Sequence, residues 1–149
     1  MCGLAGFVRW GDGVAGGDLA DALEEASRRL AHRGPDGRGR YDSPTGRAGL
    51  AFRRLAVIDL AGGDQPIANE TQDIHLVLNG EIYGFEAVRE RLEAAGHRFR
   101  TRSDAEVALH LYEDHGPDCV THLRGMFALA IWDETRGRLL LARDRKSVV

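Results

Sequence analysis

The chain has 149 residues, of which 43% are hydrophobic and 29% charged, as in an ordinary globular protein of one domain. Its net charge of −3 gives no reason to expect nucleic acid or an acidic membrane as a partner. The apolar runs have the length of strands and no signal peptide opens the chain, so we expect no membrane span and no secretion. The two cysteines, Cys2 and Cys119, then indicate free thiols in a reducing cytoplasm.

The first half of the chain predicts strands around one helix. Residues 4–9 predict a short apolar strand, and Asp18 is a suitable N-cap for the helix that follows. Residues 48–60 and 74–78 predict further strands, the second of which ends at Asn79-Gly80.

The second half adds two helices and a hairpin. The apolar spacing from Phe85 to Ala95 predicts a helix, and residues 97–101 a brief strand. Ser103-Asp104-Ala105-Glu106 matches a capping box that opens the third helix. Residues 125–133 and 138–144 predict a β-hairpin. This order favours an α+β fold, in which helices pack on mainly antiparallel sheet.

Cys2 is the most informative residue, because removal of Met1 would give it both a thiol and a free α-amine. A thiol is the nucleophile that needs least activation, and the neighbouring amine can act as its base. The alternative is a small buried residue in an N-terminal strand, since free cysteine behaves as a small hydrophobe.

Three further segments, around Arg54, Asn79-Gly80-Glu81 and Asp104, could complete a site that hydrolyses an amide. Asn79 and Gly80 offer a side-chain amide and an N–H group for an oxyanion. Arg54 could bind the carboxylate of an amino-acid substrate, and Glu81 and Asp104 its ammonium group.

Each of these residues also has a simpler interpretation. Arg54 could form a surface ion pair, Asp104 could only start a helix, and Asn79-Gly80 could be a plain turn. The six histidines show no metal-ligand spacing, since His110 and His115 are five apart and do not share a helix face, and we expect no metal site.

The chain resembles the glutaminase domain of glutamine-hydrolysing asparagine synthetase, a class II glutamine amidotransferase of the N-terminal-nucleophile type. The matching strings run in the family's order across nearly the whole chain. They are Met1-Cys2-Gly3-Leu4-Ala5-Gly6, His32-Arg33-Gly34-Pro35-Asp36, Arg54-Leu55-Ala56-Val57-Ile58-Asp59, Asn79-Gly80-Glu81-Ile82-Tyr83, Ser103-Asp104-Ala105-Glu106-Val107, Gly125-Met126-Phe127-Ala128 and Ala142-Arg143-Asp144-Arg145.

The resemblance implies catalytic roles for three residues. Cys2 would attack the side-chain amide of L-glutamine and form a γ-glutamyl thioester, with its own α-amine as base and then acid. The Asn79 side chain and the Gly80 N–H would form the oxyanion hole. Water would then release glutamate.

The resemblance also implies the substrate contacts. Arg54 would hold the α-carboxylate of glutamine, and Glu81 and Asp104 its α-ammonium group. Backbone groups near Val57 and Ile58 would line the pocket.

The implied fold is an αββα sandwich of two mainly antiparallel sheets between helices. Family members continue beyond Arg145, whereas this chain has only Lys146-Ser147-Val148-Val149, so we expect residues 1–149 to be a truncated type 2 amidotransferase domain with an incomplete fold. The chain would need no cofactor, because ATP and Mg would belong to the missing synthetase domain. A homodimer is compatible with the full-length family.

Two alternatives to this function stay open. The chain could be an inactive or regulatory fragment that binds glutamine, or another N-terminal-nucleophile hydrolase with a different substrate.

Overall fold

Two antiparallel sheets and three α-helices make up the part of the chain described by the computed structural model, which covers residues 2–11, 16–56 and 63–146. The strands are β1 (Gly3–Val8), β2 (Gly37–Asp42), β3 (Ala48–Arg54), β4 (Ile67–Ala68), β5 (Ile74–Ile82), β6 (Gly125–Asp133) and β7 (Arg138–Arg143). The helices are α1 (Gly16–Arg29), α2 (Phe85–Ala95) and α3 (Ala105–His115). Short 3-10 helices follow α1 and α3, at Ala31–Arg33 and Gly116–His122.

The elements stack in the order helix, sheet, sheet, helices, which confirms the predicted α+β sandwich. The first sheet has the order β1-β3-β2 and the second β4-β5-β6-β7, and every neighbouring pair is antiparallel. Helix α1 packs on β1 and β3 of the first sheet. Helix α3 packs on β5 of the second sheet, and α2 packs on α3. None of the helices in the described ranges combines the length and apolar character needed to cross a bilayer.

Two apolar clusters hold these layers together. One fills the space between the sheets, where Leu50 and Phe52 of β3 meet Val77 of β5 and Trp132 of β6. The other lies between the second sheet and the helices and includes Leu109 of α3. Cys2 is partly buried against the cluster between the sheets, so the interior of the sandwich reaches the candidate nucleophile.

The prediction that Asp18 is an N-cap is wrong. Helix α1 begins at Gly16, two residues earlier, and Asp18 lies in its first turn. An acidic side chain is favourable there because it faces the positive end of the helix dipole. The sequence signal therefore located the helix but not its first residue.

The predicted strand end at Asn79-Gly80 is also wrong, because β5 continues through both residues to Ile82. Gly80 has a φ of +142°, and a Cβ atom at this position would lie 2.0 Å from the carbonyl oxygen of Met126. The glycine is required by a close approach of two strands and not by a turn.

Residues 97–101 form no strand, contrary to the prediction. Side-chain carboxylates accept the backbone N–H groups that a neighbouring strand would otherwise bind. The N–H of Arg98 donates to Glu70 at 2.9 Å, and those of Arg100 and Thr101 donate to Glu106 at 2.8 Å each.

Helix α3 begins where the sequence predicts, but the capping box does not form. Ser103 Oγ accepts the N–H of Ala105 at 3.2 Å, whereas the Glu106 carboxylate reaches back to the N–H groups of Arg100 and Thr101. Burial acts to raise the pKa of Glu106, but the hydrogen-bond donors around it outweigh burial and lower that pKa to about 2. Glu106 thus fixes the segment that leads into the helix.

Candidate active site

Cys2 lies at the end of β1, beside the residue that follows β3. Its Sγ accepts the N–H of Leu55 at 3.2 Å and donates to the Leu55 carbonyl oxygen at 3.6 Å. Arg33 Nε donates to the carbonyl oxygen of Cys2 at 3.3 Å. The antiparallel pairing of β1 with β3 sets Gly3 opposite Arg53, which brings Cys2 to the end of β3.

Arg54 is the last residue of β3 and is only 8% exposed, so it is not the surface residue of the simpler interpretation. Its guanidinium is 3.1 Å from Asp64, whose side chain is 83% exposed. An ion pair with so exposed a carboxylate is weak, because water screens it. A substrate carboxylate could therefore take the place of Asp64.

The loop after α1 forms hydrogen bonds to the end of β3 and packs closely on it. Asp36 donates its N–H to the Arg54 carbonyl oxygen at 3.0 Å, and its side chain accepts the N–H of Ala56 at 2.9 Å. A Cβ atom at Gly34 would lie 2.4 Å from the carbonyl oxygen of Arg53, so only glycine allows this approach. Sequence reasoning gave these residues no role, although the matching string from His32 to Asp36 marks the loop.

Asn79, Gly80 and Glu81 are consecutive residues of β5 and lie opposite β6. The side chains of Asn79 and Glu81 are half-buried and make no hydrogen bond to the part of the chain that the structure describes. The N–H groups of Leu78 and Ile82 both point away from β6, to Gln65 Oε1 at 2.6 Å and to Asp104 Oδ2 at 2.7 Å. The alternation of a strand directs the Gly80 N–H, midway between them, to the same edge.

Asp104 is buried at the N-cap position of α3, yet its side chain makes no capping hydrogen bond. Its Oδ2 instead accepts the N–H of Ile82, and Ser103 Oγ lies 3.4 Å from Oδ1. The carboxylate therefore joins the start of α3 to the end of β5, next to Glu81. The interpretation of Asp104 as only a helix start does not explain this contact.

Two adjacent residues connect the Arg54 group to the β5 group. Asp64 binds Arg54, while the side chain of Gln65 forms two hydrogen bonds to the backbone of Leu78, with Nε2 3.1 Å from the carbonyl oxygen and Oε1 2.6 Å from the nitrogen. Gln65 thereby takes the place of a neighbouring strand just before Asn79. Sequence reasoning missed Asp64 and Gln65, because their roles arise only from contacts between distant segments.

The structure therefore brings Cys2 and Arg54 together at one strand end, and Asn79, Gly80, Glu81 and Asp104 at another. Strands β1 and β5 contact each other, although no hydrogen bond among the described residues joins Cys2 to β5. Val57 and Ile58 lie outside the described residues.

Comparison with known proteins shows a family match over almost the whole chain. Residues 1–148 match the family model described as "Glutamine amidotransferase domain". "Asparagine synthetase [glutamine-hydrolyzing] 1" of Arabidopsis thaliana is 50% identical over 144 residues, which are 97% of this chain and 24% of that protein. "Amidase chry2" of Gibberella zeae is 40% identical over 156 residues, covering 99% of this chain and 23% of that protein. The chain thus spans about a quarter of the length of these relatives.

Among solved structures, glutamine phosphoribosylpyrophosphate amidotransferase from Bacillus subtilis has a similar fold. The TM-score is 0.67 at 20% sequence identity, and the match covers 85% of this chain and 35% of that one. At this identity the likeness concerns the sandwich alone, and it agrees with the order of layers described above.

Proposed function

The chain belongs to the glutamine amidotransferase domain family, as its sequence strings predicted, and from this membership we propose that it hydrolyses L-glutamine to glutamate and ammonia. The observation that carries the proposal is the position of Cys2, whose half-buried Sγ lies at the same strand end as the buried guanidinium of Arg54. This position supports the roles proposed for Cys2 as the nucleophile and for Arg54 as the carboxylate-binding group.

In the proposed reaction, removal of Met1 frees the α-amine of Cys2. The amine takes the thiol proton as Sγ attacks the side-chain carbonyl carbon of glutamine. The C–N bond then breaks, the amine returns a proton to the leaving nitrogen, and ammonia departs from a γ-glutamyl thioester. Water attacks the thioester, the C–S bond breaks, and glutamate and the free thiol are restored.

We assign the oxyanion of both steps to Asn79 and Gly80. The Asn79 side chain makes no hydrogen bond to the described part of the chain, and strand alternation points the Gly80 N–H away from β6. Fixed donors of this kind stabilise negative charge as it develops in the transition state.

We assign the two charged ends of the substrate to opposite sides of the site. Arg54 would exchange Asp64 for the α-carboxylate of glutamine. Glu81 near the end of β5 and Asp104, which accepts the N–H of the next residue, Ile82, would hold the α-ammonium group. The contribution of backbone groups near Val57 and Ile58 to the pocket stays a prediction.

The asparagine synthetases that match are about four times as long as the chain. We therefore propose that this chain corresponds to their ammonia-supplying part, and that ATP and Mg act in a synthetase part outside it.

We place the reaction in the cytoplasm, because Cys2 and Cys119 are free thiols. A homodimer of full-length relatives stays a prediction.

The test is glutaminase kinetics of the 149-residue chain and its variants. Cys2→Ala should abolish ammonia release, and Asn79→Ala should lower kcat by about 10²–10³, the usual loss for one oxyanion donor. Arg54→Ala should mainly raise KM, because the carboxylate contact is similar in the ground and transition states. Arg38→Ala, which removes an exposed arginine of β2, is the matched control and should change neither constant.

Substrate analogues separate this function from its alternatives. Glutamine with an amidated α-carboxylate should be hydrolysed poorly by the parent chain, and the deficit should be small in Arg54→Ala. Equal hydrolysis of this analogue and glutamine by the parent chain would remove Arg54 from the site. Glutamine binding without ammonia release would instead identify a binding fragment.

A further inference from the structure

A second cluster of chemically active side chains includes His110 of α3 and lies apart from the residues of the candidate active site. Glu70 follows β4, His97 follows α2, and His110 lies in α3, so three separate segments supply it. One carboxylate oxygen and one ring nitrogen from each histidine lie within 4.8 Å of one another. Small side-chain rotations would bring such a set to the distance of about 2 Å at which zinc is bound.

The second observation is the state of the His110 ring. Its side chain is only 1% exposed, and its Nε2 has no hydrogen-bond partner among the described residues. The carboxylate of Glu106 lies 3.8 Å away and already accepts the N–H groups of Arg100 and Thr101. A buried polar atom without a partner is uncommon and requires an explanation, for which an ion is one of the recognised candidates.

The other ring nitrogens are oriented by carboxylates. His110 Nδ1 is 2.6 Å from Glu113 Oε2, and His97 Nε2 is 3.0 Å from Asp114 Oδ1. Metal-binding histidines almost always donate their second N–H to such a group, which fixes the tautomer and the direction of the ring. A carboxylate therefore orients each imidazole, as in known metal sites. The remaining nitrogen of His97, Nδ1, lies 3.4 Å from Glu113.

The charge of the cluster favours a cation. Four carboxylates, those of Glu70, Glu106, Glu113 and Asp114, surround the two imidazoles. The exposed Arg98 and Arg100 donate backbone N–H groups to the cluster, and the Arg100 guanidinium donates to the carbonyl oxygen of Glu70 at 3.5 Å without pairing with its carboxylate.

We propose that Glu70, His97 and His110 bind one zinc ion. Two imidazoles and one carboxylate are ligands that zinc accepts, and water can complete a tetrahedron. The ion would connect the turn before β5 and the segment after α2 to α3, whose N-cap residue Asp104 contacts Ile82. The spacing argument against a metal considered histidines along one helix, whereas this site is assembled from three segments.

The experiment is zinc titration of the metal-free 149-residue chain by calorimetry, in a Cys2→Ser background. The substitution is needed because an N-terminal cysteine can itself chelate zinc. We expect one equivalent of zinc to bind and to raise the melting temperature. Cobalt should bind in its place and give the visible spectrum of a tetrahedral ion without cobalt–thiolate absorption.

Variants decide which residues hold the ion. Glu70→Gln and His97→Gln change residues that are not fully buried, so these variants should fold, and each should weaken zinc binding by more than a hundredfold. Glu113→Gln should weaken binding about 10–100-fold, as is usual for a group that orients a ligand. His115→Gln, on the same helix but exposed and stacked on His122, is the control and should bind as the parent chain does.

Two results would overturn the proposal. One is the absence of binding to the folded parent chain with zinc in tenfold excess, which would leave a hydrogen-bonded cluster of histidines and carboxylates. The other is zinc binding to His97→Gln and Glu70→Gln as tight as to the parent chain, whatever the result for His115→Gln. Neither result depends on glutaminase activity.

Discussion

The two cysteines of the chain lie in opposite environments. Cys2 is half-buried at the end of β1, where it contacts the Leu55 backbone, whereas Cys119 is fully buried in the cluster between the second sheet and the helices. Burial raises the pKa of the Cys119 thiol to about 11. Since the thiolate is the reactive form, Cys119 is both covered and almost wholly protonated at neutral pH.

We therefore expect a glutamine-analogue electrophile to alkylate Cys2 alone. With a pKa of about 11, about 1% of Cys119 would be thiolate at pH 9, so raising the pH from 7 to 9 should not label it in the folded chain. Intact mass and peptide mapping would measure the labelling and also show whether Met1 is removed.

The control is the chain in denaturant, where a small non-specific alkylating agent should modify both thiols. Retention of Met1 in an active enzyme, or labelling of Cys119 at the rate of Cys2 in the folded chain, would contradict the proposed mechanism.

At the scale of elements, strand β5 organises the candidate site through its two edges. One edge of β5 pairs with β6 along the whole strand. Along the other edge, the backbone is hydrogen-bonded first by β4, then by the Gln65 side chain at Leu78, and last by the Asp104 carboxylate at Ile82. The Gly80 N–H is left between the last two partners. These partners fix the strand on both sides of the predicted oxyanion donor.

Gln65→Ala tests this positioning role. It leaves the N–H and C=O groups of buried Leu78 without their partner, which should cost about 1–3 kcal/mol of stability per unsatisfied group. We expect kcat to fall while KM changes little, because the strand carrying Asn79 loses its fixed position. Chemical unfolding and glutaminase kinetics measure the two effects.

Gln72→Ala is the matched control, since it removes an exposed glutamine that donates to a single carbonyl oxygen. It should leave kcat unchanged. A Gln65→Ala chain that loses stability but keeps its kcat would show that Gln65 supports the fold without positioning the site.

How far sequence predicts an element depends on how strong its local signal is. Helix α2 and the hairpin of β6 and β7 were predicted correctly, because their apolar periodicity and turns are local signals. Strands β2 and β4 were missed although each pairs with the next strand in the chain, because β2 alternates glycine with polar residues and β4 has only two residues. Gly80 looked like a turn because the approach of Met126 cannot be seen in one sequence.

For the molecule as a whole, the sequence strings identified the family and predicted the site residues, but did not predict the contacts between the segments that carry them. Three contacts join residues of different elements or loops that carry no joint sequence signal: Asp64 with Arg54, Gln65 with Leu78, and His97 with His110. Such contacts follow from how the layers stack, and a residue pattern along one chain does not contain that information.

The stacking also leaves part of the second sheet uncovered. Met126 and Leu141 are on the same sheet face as Ala130 and Trp132, which the first sheet covers, yet they are 51% and 67% exposed. Strand β7 is also the edge of this sheet in the described part of the chain. An exposed apolar face beside a free strand edge favours pairing with another chain.

We expect the 149-residue chain to self-associate as its concentration rises, and Leu141→Lys to reduce this association with little change in melting temperature. Sedimentation velocity at low and high concentration measures it. Leu139→Lys is the contrasting variant, because Leu139 packs against the core between the sheets and its replacement should destabilise the fold. A parent chain that stays monomeric at high concentration would contradict the prediction.

The division of the predicted reacting groups between two layers has a mechanical consequence. Cys2 adjoins a strand of the first sheet, whereas Asn79 and Gly80 lie in the second, so sliding of one sheet over the other would change the distance over which the thiol attacks. The side chains of Phe52, Val77 and Trp132 pack between the two sheets. They would therefore set the spacing of the sheets, and with it the distance from Cys2 to the predicted oxyanion donors. A displacement of about 1 Å between reacting groups can lower the rate a hundredfold. The turnover number would therefore reveal a shift of one sheet relative to the other that is too small to change the melting temperature.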